Sequence, residues 1–381
     1  MRENILRAGG ICLVLAGMLQ VATAQTSLRP RYANTTLYTG IEVGSKGVKM
    51  SVVEMGKNAK KTGAFYILRD TSANTDFISF TPASFAATLD GLTSLYNTAV
   101  HNFGIESKHV FTVISSGVKM QAEKDARQSM VRQLVDSFRL RIGDPARKVD
   151  VVDVGEEARL SHLGIVPESR RYTTFLVDIG SGNTKGGFFP YGNTNDFKLF
   201  QLNWGTKSTA NATEKRCEED KRIENYYKQL QRVLAAAENT EIAYAVNASG
   251  AYALSDNIAF SGGIAWAVAT LSHPELIDNP IVSVTYEEMV KFVEKLYTNI
   301  DAVSPAFLAS NTNRASEKEA VQREAGRVHK VFDQRSLIAG AGLLLRIMRQ
   351  FSSAFETKAF YLVKNGQVGW VSAYVEENKD E

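Results

Sequence analysis

The octapeptide Asp178-Ile179-Gly180-Ser181-Gly182-Asn183-Thr184-Lys185 follows the apolar run Phe175 to Val177 and leads into a second stretch suited to a strand. An earlier segment, Glu42-Val43-Gly44-Ser45-Lys46-Gly47-Val48-Lys49, repeats that pattern 136 residues upstream, after Leu37 to Ile41. In both, an acidic residue ends the first strand, Gly-Ser and small polar residues make the turn, and the chain returns as the second strand of a hairpin. Such a turn aims backbone N–H groups and hydroxyls at one point beside a carboxylate, a combination that holds a phosphate and a Mg²⁺ ion. One copy is ordinary hairpin chemistry. Two copies, one near the start of each half, predict facing phosphate loops.

The segments around them alternate. Strand patterns at Leu37–Val43, Gly47–Met55 and Ala64–Arg69 precede a helix over Pro82–Phe103 and a strand at His109–Ile114. A helix over Ala122–Leu140, a strand at Lys148–Val154 and a helix from Glu156 to Leu163 complete an α/β first half. The pattern breaks at Pro167–Tyr172, which divides the chain into an N-terminal domain (35–168) and a C-terminal domain (169–381). The second half restarts with the hairpin Thr174–Val177 into Lys185–Phe189, then a strand at Phe197–Asn203 and a long polar helix over Thr213–Ala237. Glu241–Val246 reads as a strand, Phe260-Ser261-Gly262-Gly263 opens an apolar helix, and Thr285–Thr298 is amphipathic. Ala309–Arg327 reads as a solvated helix with a loop, Ser336–Phe351 as an apolar helix, and Ala359–Tyr374 as a final hairpin around Asn365-Gly366.

The composition, 381 residues with 44% hydrophobic and 22% charged, is that of a globular chain long enough for two domains. Arg2 and Arg7 precede the apolar stretch Ile11 to Val21, and Ala22-Thr23-Ala24 offers a small-x-small cleavage site. This predicts a signal peptide over 1–24, a polar leader over 25–34, and export to the periplasm or medium with no stable membrane insertion after cleavage. Loss of residues 1–24 takes the net charge from +3 to +2. No long basic run carries interleaved aromatics, which argues against nucleic acid as a partner. Cys217 is then the one remaining cysteine, so no internal disulfide forms, and five scattered His make no zinc-type cluster.

Phosphoryl chemistry asks mostly for positioning and electrostatics. In the second loop, Gly180 and Gly182 allow close approach of phosphate oxygens, and Ser181, Asn183 and Thr184 add donors. In the first loop, Gly44 and Ser45 do the same. Asp178 is the candidate ligand for metal or water. Between the loops, Gly155-Glu156-Glu157-Ala158-Arg159-Leu160 opens a helix; a Glu pair there suits the helix dipole, and its place before the domain boundary makes it a candidate general base. Ser261-Gly262-Gly263 offers either a phosphate seat on a helix N-terminus or a tight strand-to-helix turn. Lys207, in Trp204-Gly205-Thr206-Lys207, is either an exposed lysine or a further contact for a polyanion.

The order of these segments resembles the exopolyphosphatase and guanosine pentaphosphate phosphohydrolase family, within the superfamily of actin, sugar kinases and heat-shock chaperones. The resemblance covers residues 37–375 and is most specific at Glu156-Glu157-Ala158-Arg159-Leu160 with Leu163-Gly164 and at Val177 to Thr184. It implies two ribonuclease-H-like (actin-like) α/β domains with mixed sheets, hinged over a cleft. It also implies removal of terminal phosphate from polyphosphate or a nucleotide pentaphosphate with Mg²⁺. The implied base falls on Glu157, the metal-linked acids on Asp178 and Glu42, and the phosphate-binding basic residue on Lys119. The chain departs from the pattern at Glu42 (Asp in the family), at Lys46-Gly47, at Lys119 (Arg) and at Lys185, where the family carries an acid. Lys119 keeps the charge but loses the bidentate fork. Lys185 removes a candidate ligand and adds a cation able to bind phosphate or take the metal's place.

Two readings follow, with polyphosphate or a phosphorylated small molecule as the partner of both. One is a secreted phosphoanhydride hydrolase, with water activated by Glu157 and Mg²⁺ near Asp178. The other is a catalytically silent anion-binding protein of the same fold. A nucleotide-using actin-like or kinase-like protein is the third, disfavoured by export away from ATP. A homodimer is compatible with all three.

Overall fold

The computed structural model describes residues 35–45, 47–56, 65–352, 357–366 and 369–378, with Leu28 and Pro30. The expected signal peptide and Lys46 lie outside those residues, as does all of the leader except Leu28 and Pro30.

Both octapeptides fold as hairpins in the same register. Strand β1 (Thr36–Val43) returns as β2 (Gly47–Met55) with Glu42 opposite Lys49. Strand β6 (Thr174–Ile179) returns as β7 (Thr184–Phe188) with Asp178 opposite Lys185. Around the first hairpin, β3 (Phe65–Asn74) pairs antiparallel with β2, while β4 (Val110–Ile114) lies parallel to β1 and β5 (Val149–Val151) parallel to β4. The sheet order is β3-β2-β1-β4-β5. The second half adds β8 (Lys198–Leu202), β9 (Asn257–Ser261), β10 (Ile281–Val284) and β11 (Ala359–Val363), in the order β10-β11-β9-β6-β7-β8. Without β10 this is the first order again, with the crossover strands β9 and β11 parallel to β6. Two mixed sheets with helices on their faces are the expected architecture.

In chain order the helices of the first half are α1 (Pro82–Asn97), α2 (Ser116–Lys124), α3 (Gln128–Arg141) and α4 (Val154–Ile165). Those of the second half are α5 (Thr206–Arg216), α6 (Ile223–Ala237), α7 (Ala243–Ser249), α8 (Ala251–Leu254), α9 (Gly263–Ser272), α10 (Tyr286–Thr298), α11 (Pro305–Ser310), α12 (Ala315–Val331), α13 (Gln334–Phe351) and α14 (Gly369–Asn378). Local chemistry sets several starts. Thr81 and Ser84 form a reciprocal cap on α1, with Pro82 in its first turn, and Thr285 with Glu288 does the same for α10.

Several expected elements fold differently. The helix expected over Ala122–Leu140 is two helices, broken where Ala126 takes φ 55°. The one expected over Thr213–Ala237 is broken where Glu218 takes φ 49°; an α-helix cannot pass through that backbone conformation. Glu241–Val246, read as a strand, is helical. Buried Glu238 accepts hydrogen bonds from Arg346, Arg349 and Gln350 of α13, which holds the end of α6 down. Ile242 and Val246, one helical turn apart, are both buried there.

The expected last hairpin is strand β11 followed by helix α14, which buries Trp370, Ala373 and Tyr374 at helical spacing beside Leu160 of α4 and Val113 of β4. A Cβ on Gly164 would fall 1.7 Å from the Gly369 carbonyl oxygen, so this crossing of α4 and α14 requires glycine. The last helix, assigned above to the domain over 169–381, thus packs against the first half. Helix α4 is the spine between the halves, since it also packs against β7, and its His162 ring bonds the Thr174 carbonyl of β6 at 2.9 Å. Among the described residues, no helix is long and apolar enough to cross a membrane.

Candidate functional site

Helix α4 starts on Asp153, whose carboxylate accepts from the Glu156 amide at 2.8 Å. That cap fixes which way the two glutamates point. Glu156 lies on the outer side and pairs with Arg159, which also binds Glu377 of α14. Glu157 is turned inward, with its side chain 4% exposed. One of its oxygens accepts from the Ser116 amide at the start of α2, 2.9 Å away. The other lies 2.6 Å from the Lys185 ammonium. Lys185 in turn stands 3.8 Å from Asp178, its cross-strand partner, and the Ser261 hydroxyl donates to Asp178 at 2.9 Å. Strand ends from one half and a helix start from the other therefore meet in one polar cluster.

The charges of this cluster follow from burial set against pairing. For Glu157, burial works to raise the pKa, but the Lys185 charge and the hydrogen bonds from Lys185 and Ser116 outweigh it and hold the carboxyl below its ordinary value. For Asp178, burial wins and the pKa is raised, although Lys185 and Ser261 oppose it. Glu42 is raised as well, mainly by burial, against the pull of Lys49 and a hydrogen bond from Trp370. Burial alone would lower the Lys185 pKa; Glu157 and Asp178 reverse that and keep the ammonium charged.

The second loop is held from behind. The Gly180 carbonyl accepts from the Thr206 amide and the Ser181 carbonyl from those of Lys207 and Ser208, at the start of α5. Because C=O and N–H of a trans peptide point opposite ways, the amides of Ser181 and Gly182 are turned away from α5, and both residues are exposed. A Cβ on Gly205 would lie 2.6 Å from the Gly180 carbonyl oxygen, so the loop sits directly on that glycine.

The first loop closes on itself through the Gly44 amide and the Gly47 carbonyl, 2.9 Å apart. Ser45 lies against the first turn of α2, where a Cβ on Gly117 would meet its hydroxyl at 3.0 Å. Lys119 sits in that same helix, half-buried, so it rides on a helix that begins at Ser116. Thr184 is buried and its hydroxyl is spent on the Trp204 carbonyl at 2.7 Å, and Asn183 holds the second loop's turn through its carbonyl to the Gly180 amide. Ser261 and Gly262 are likewise inward: Gly262 has φ 92°, and a Cβ there would lie 2.3 Å from the Ile179 carbonyl oxygen. That segment and Gly263 make the tight turn from β9 into α9, closed over Asp178.

With this geometry set out, solved structures supply the comparison. The Aquifex aeolicus Ppx/GppA phosphatase superposes with a TM-score of 0.58 at 14% identity, covering 90% of this chain and 99% of that one. The chain has the Ppx/GppA fold. An exopolyphosphatase-like protein superposes with a TM-score of 0.55 at 14% identity, over 90% of this chain and 99% of that one. An exopolyphosphatase from Cytophaga hutchinsonii gives 0.52 at 13%, over 90% and 98%. No family model and no curated protein matches the sequence.

The Ppx/GppA resemblance implies Mg²⁺, and the residues here do not fit it. Magnesium asks for oxygen ligands near 2.0–2.1 Å in an octahedron, whereas the Lys185 ammonium stands between Glu157 and Asp178. Among the described residues, no group of three or more His, Cys, Asp or Glu is arranged to hold a metal. Sequence reasoning missed the Ser116 amide, Trp370 and Lys49 as members of the cluster. The cross-strand repeat of an acid opposite a lysine was the one signal that pointed to Lys49. A separate cavity of about 370 Å³, walled in part by the stacked rings of Tyr227 and Tyr297, shares no residue with this cluster.

Proposed function

We propose that the chain is a phosphoanhydride hydrolase that binds polyphosphate or a related phosphorylated compound between the two loops and releases terminal phosphate. One observation carries the reading: the Glu157 carboxylate is brought from the first half to the Asp178–Lys185 pair of the second, at 2.6 Å from Lys185. The amides of Ser181 and Gly182, turned away from α5, supply donors for phosphate oxygens. A phosphate oxygen that reaches Lys185 competes with Glu157 for the ammonium and frees the carboxylate to take a proton from water. Among the similar solved structures are a phosphatase and an exopolyphosphatase, which supports this class of substrate. The test is release of inorganic phosphate from polyphosphates of several lengths by the mature protein, with Glu157→Gln as control. No release from any of them sinks the hydrolase reading.

A second reading, binding without turnover, is favoured by the same ion pair, because a carboxylate held by both Lys185 and the Ser116 amide is a poor base. Its mark is a tripolyphosphate-induced rise in melting temperature with no phosphate released. We also propose export through the N-terminal segment, which the mass of the protein recovered from a periplasmic or medium fraction checks: loss of residues 1–24 is expected.

A further inference from the structure

We propose that the Lys185 ammonium is the resident cation of this polar cluster, so that the site takes its phosphate chain without a divalent metal ion. The inference rests on the phosphate-chain ligand proposed above and concerns what balances its charge. Two carboxylates meet at this ammonium, and each already has its donors. Glu157 has Lys185 and the Ser116 amide; Asp178 has the Ser261 hydroxyl and the Lys185 charge. A metal entering between Glu157 and Asp178 would have to displace the ammonium or sit beside it, like charge against like. Lys185 has little freedom to leave, since it is fixed on β7 opposite Asp178 and its side chain is only 12% exposed.

The ammonium can do much of what a metal would do for a phosphate. It carries three donors; one is directed to Glu157 and a second lies toward Asp178. The third is left for a phosphate oxygen, which Lys binds as a point charge. The Ser181 and Gly182 amides, turned away from α5, add neutral donors. Lys185 is thus a positioning and charge-balancing group present in every molecule, whatever the metal supply.

Two titrations on the protein from Gln25 onward decide the matter. The first is Mn²⁺ alone, with no phosphate present, followed by the paramagnetic resonance of the free ion. The wild type is expected to show no saturable uptake at millimolar Mn²⁺, and Lys185→Glu to take up one ion. Saturable uptake of one Mn²⁺ by the wild type overturns the proposal. The second is the tripolyphosphate-induced melting shift in EDTA. It is expected to persist in the wild type and to need about tenfold more ligand in Lys185→Gln, which also serves should Lys185→Glu not fold. A shift that vanishes in EDTA and returns with Mg²⁺ overturns this inference and leaves the phosphate ligand standing. No shift in either medium removes the phosphate ligand itself, and the inference falls with it.

Discussion

Lys49 and Lys185 occupy the same place in the two hairpins, each opposite the acid that ends the preceding strand. Lys49 is exposed, whereas Lys185 is nearly enclosed and bound to Glu157. The repeated hairpin alone would make two similar acid–lysine pairs. The difference comes from a third element: α4 crosses from the first half and delivers one carboxylate to one of the two lysines. Near-symmetric sequence thus gives an asymmetric site. A lysine standing in water contributes almost nothing to the stability of the carboxylate it faces, while a buried pair is costly to break because it leaves an uncompensated charge.

The sharpest way to break that comparison is to remove each ammonium in turn. Lys185→Met is expected to lose about 3–5 kcal/mol in urea unfolding at pH 7, and Lys49→Met under about 0.5 kcal/mol. The loss in Lys185→Met should shrink as the pH falls. Asp178 and Glu42 have raised folded pKa values, so protonating them favours the folded state, and their contribution is lost as pH rises through those values. Glu157 runs the other way in the wild type. Its folded pKa lies below 4.5, so its contribution is present above that pH and is lost as pH falls through the folded value. Equal losses for the two lysine variants would mean that the hairpins are equivalent after all.

Turnover tests the asymmetry next. Glu157→Gln should lower phosphate release by about 100-fold or more if the carboxylate takes the proton from water, with circular dichroism confirming the fold. Glu42→Gln, in the first hairpin, should cost markedly less. Comparable residual rates in both would take away the special place given to Glu157.

How much of this was legible beforehand follows from the range of each interaction. The hairpins were readable because strand, turn and strand lie within eight residues and carry glycines and an acid at fixed places. The parallel strands β4 and β5 and most helices followed from local periodicity, whereas β9 and β10 were not expected as strands. Breaks at Ala126 and Glu218 were hidden, because neither residue type announces a positive φ. Glu241–Val246 was misread because its helical state depends on Glu238 meeting three side chains of α13. At the site, the residue types were legible but not their pairing. Nothing local tells that Lys185 will meet Glu157, or that Trp370 will come back from the chain's end to Glu42.

Glycine replacements probe the walls of the two loops. Gly262→Ala combines φ 92° with a Cβ 2.3 Å from the Ile179 carbonyl oxygen and 2.9 Å from Asp178. It should lose about 2–3 kcal/mol and displace Asp178, weakening tripolyphosphate binding along with stability. In Gly44→Ala the nearest atoms, a Glu42 carboxylate oxygen and the Gly47 carbonyl oxygen, are 3.4 Å away, so the change should be within about 1 kcal/mol in the same unfolding assay.

The last test concerns the hydrogen bond that ties the chain's last helix to Glu42 of the first hairpin. Trp370 is buried between α4 and the first sheet, and its hydrogen bond favours the charged form of Glu42. Trp370→Phe keeps most of the ring packing and removes the indole donor, which should cost about 1 kcal/mol. Removing that donor raises the Glu42 pKa further, so a larger share of the carboxyl is neutral at a given pH. The cluster around Lys185 then carries less negative charge, and tripolyphosphate should bind slightly more tightly in the variant even as the fold weakens. Opposite signs for binding and stability are the mark of an electrostatic contact from α14. If both weaken together, Trp370 serves packing alone, and the first loop is set by its own hairpin without help from the chain's end.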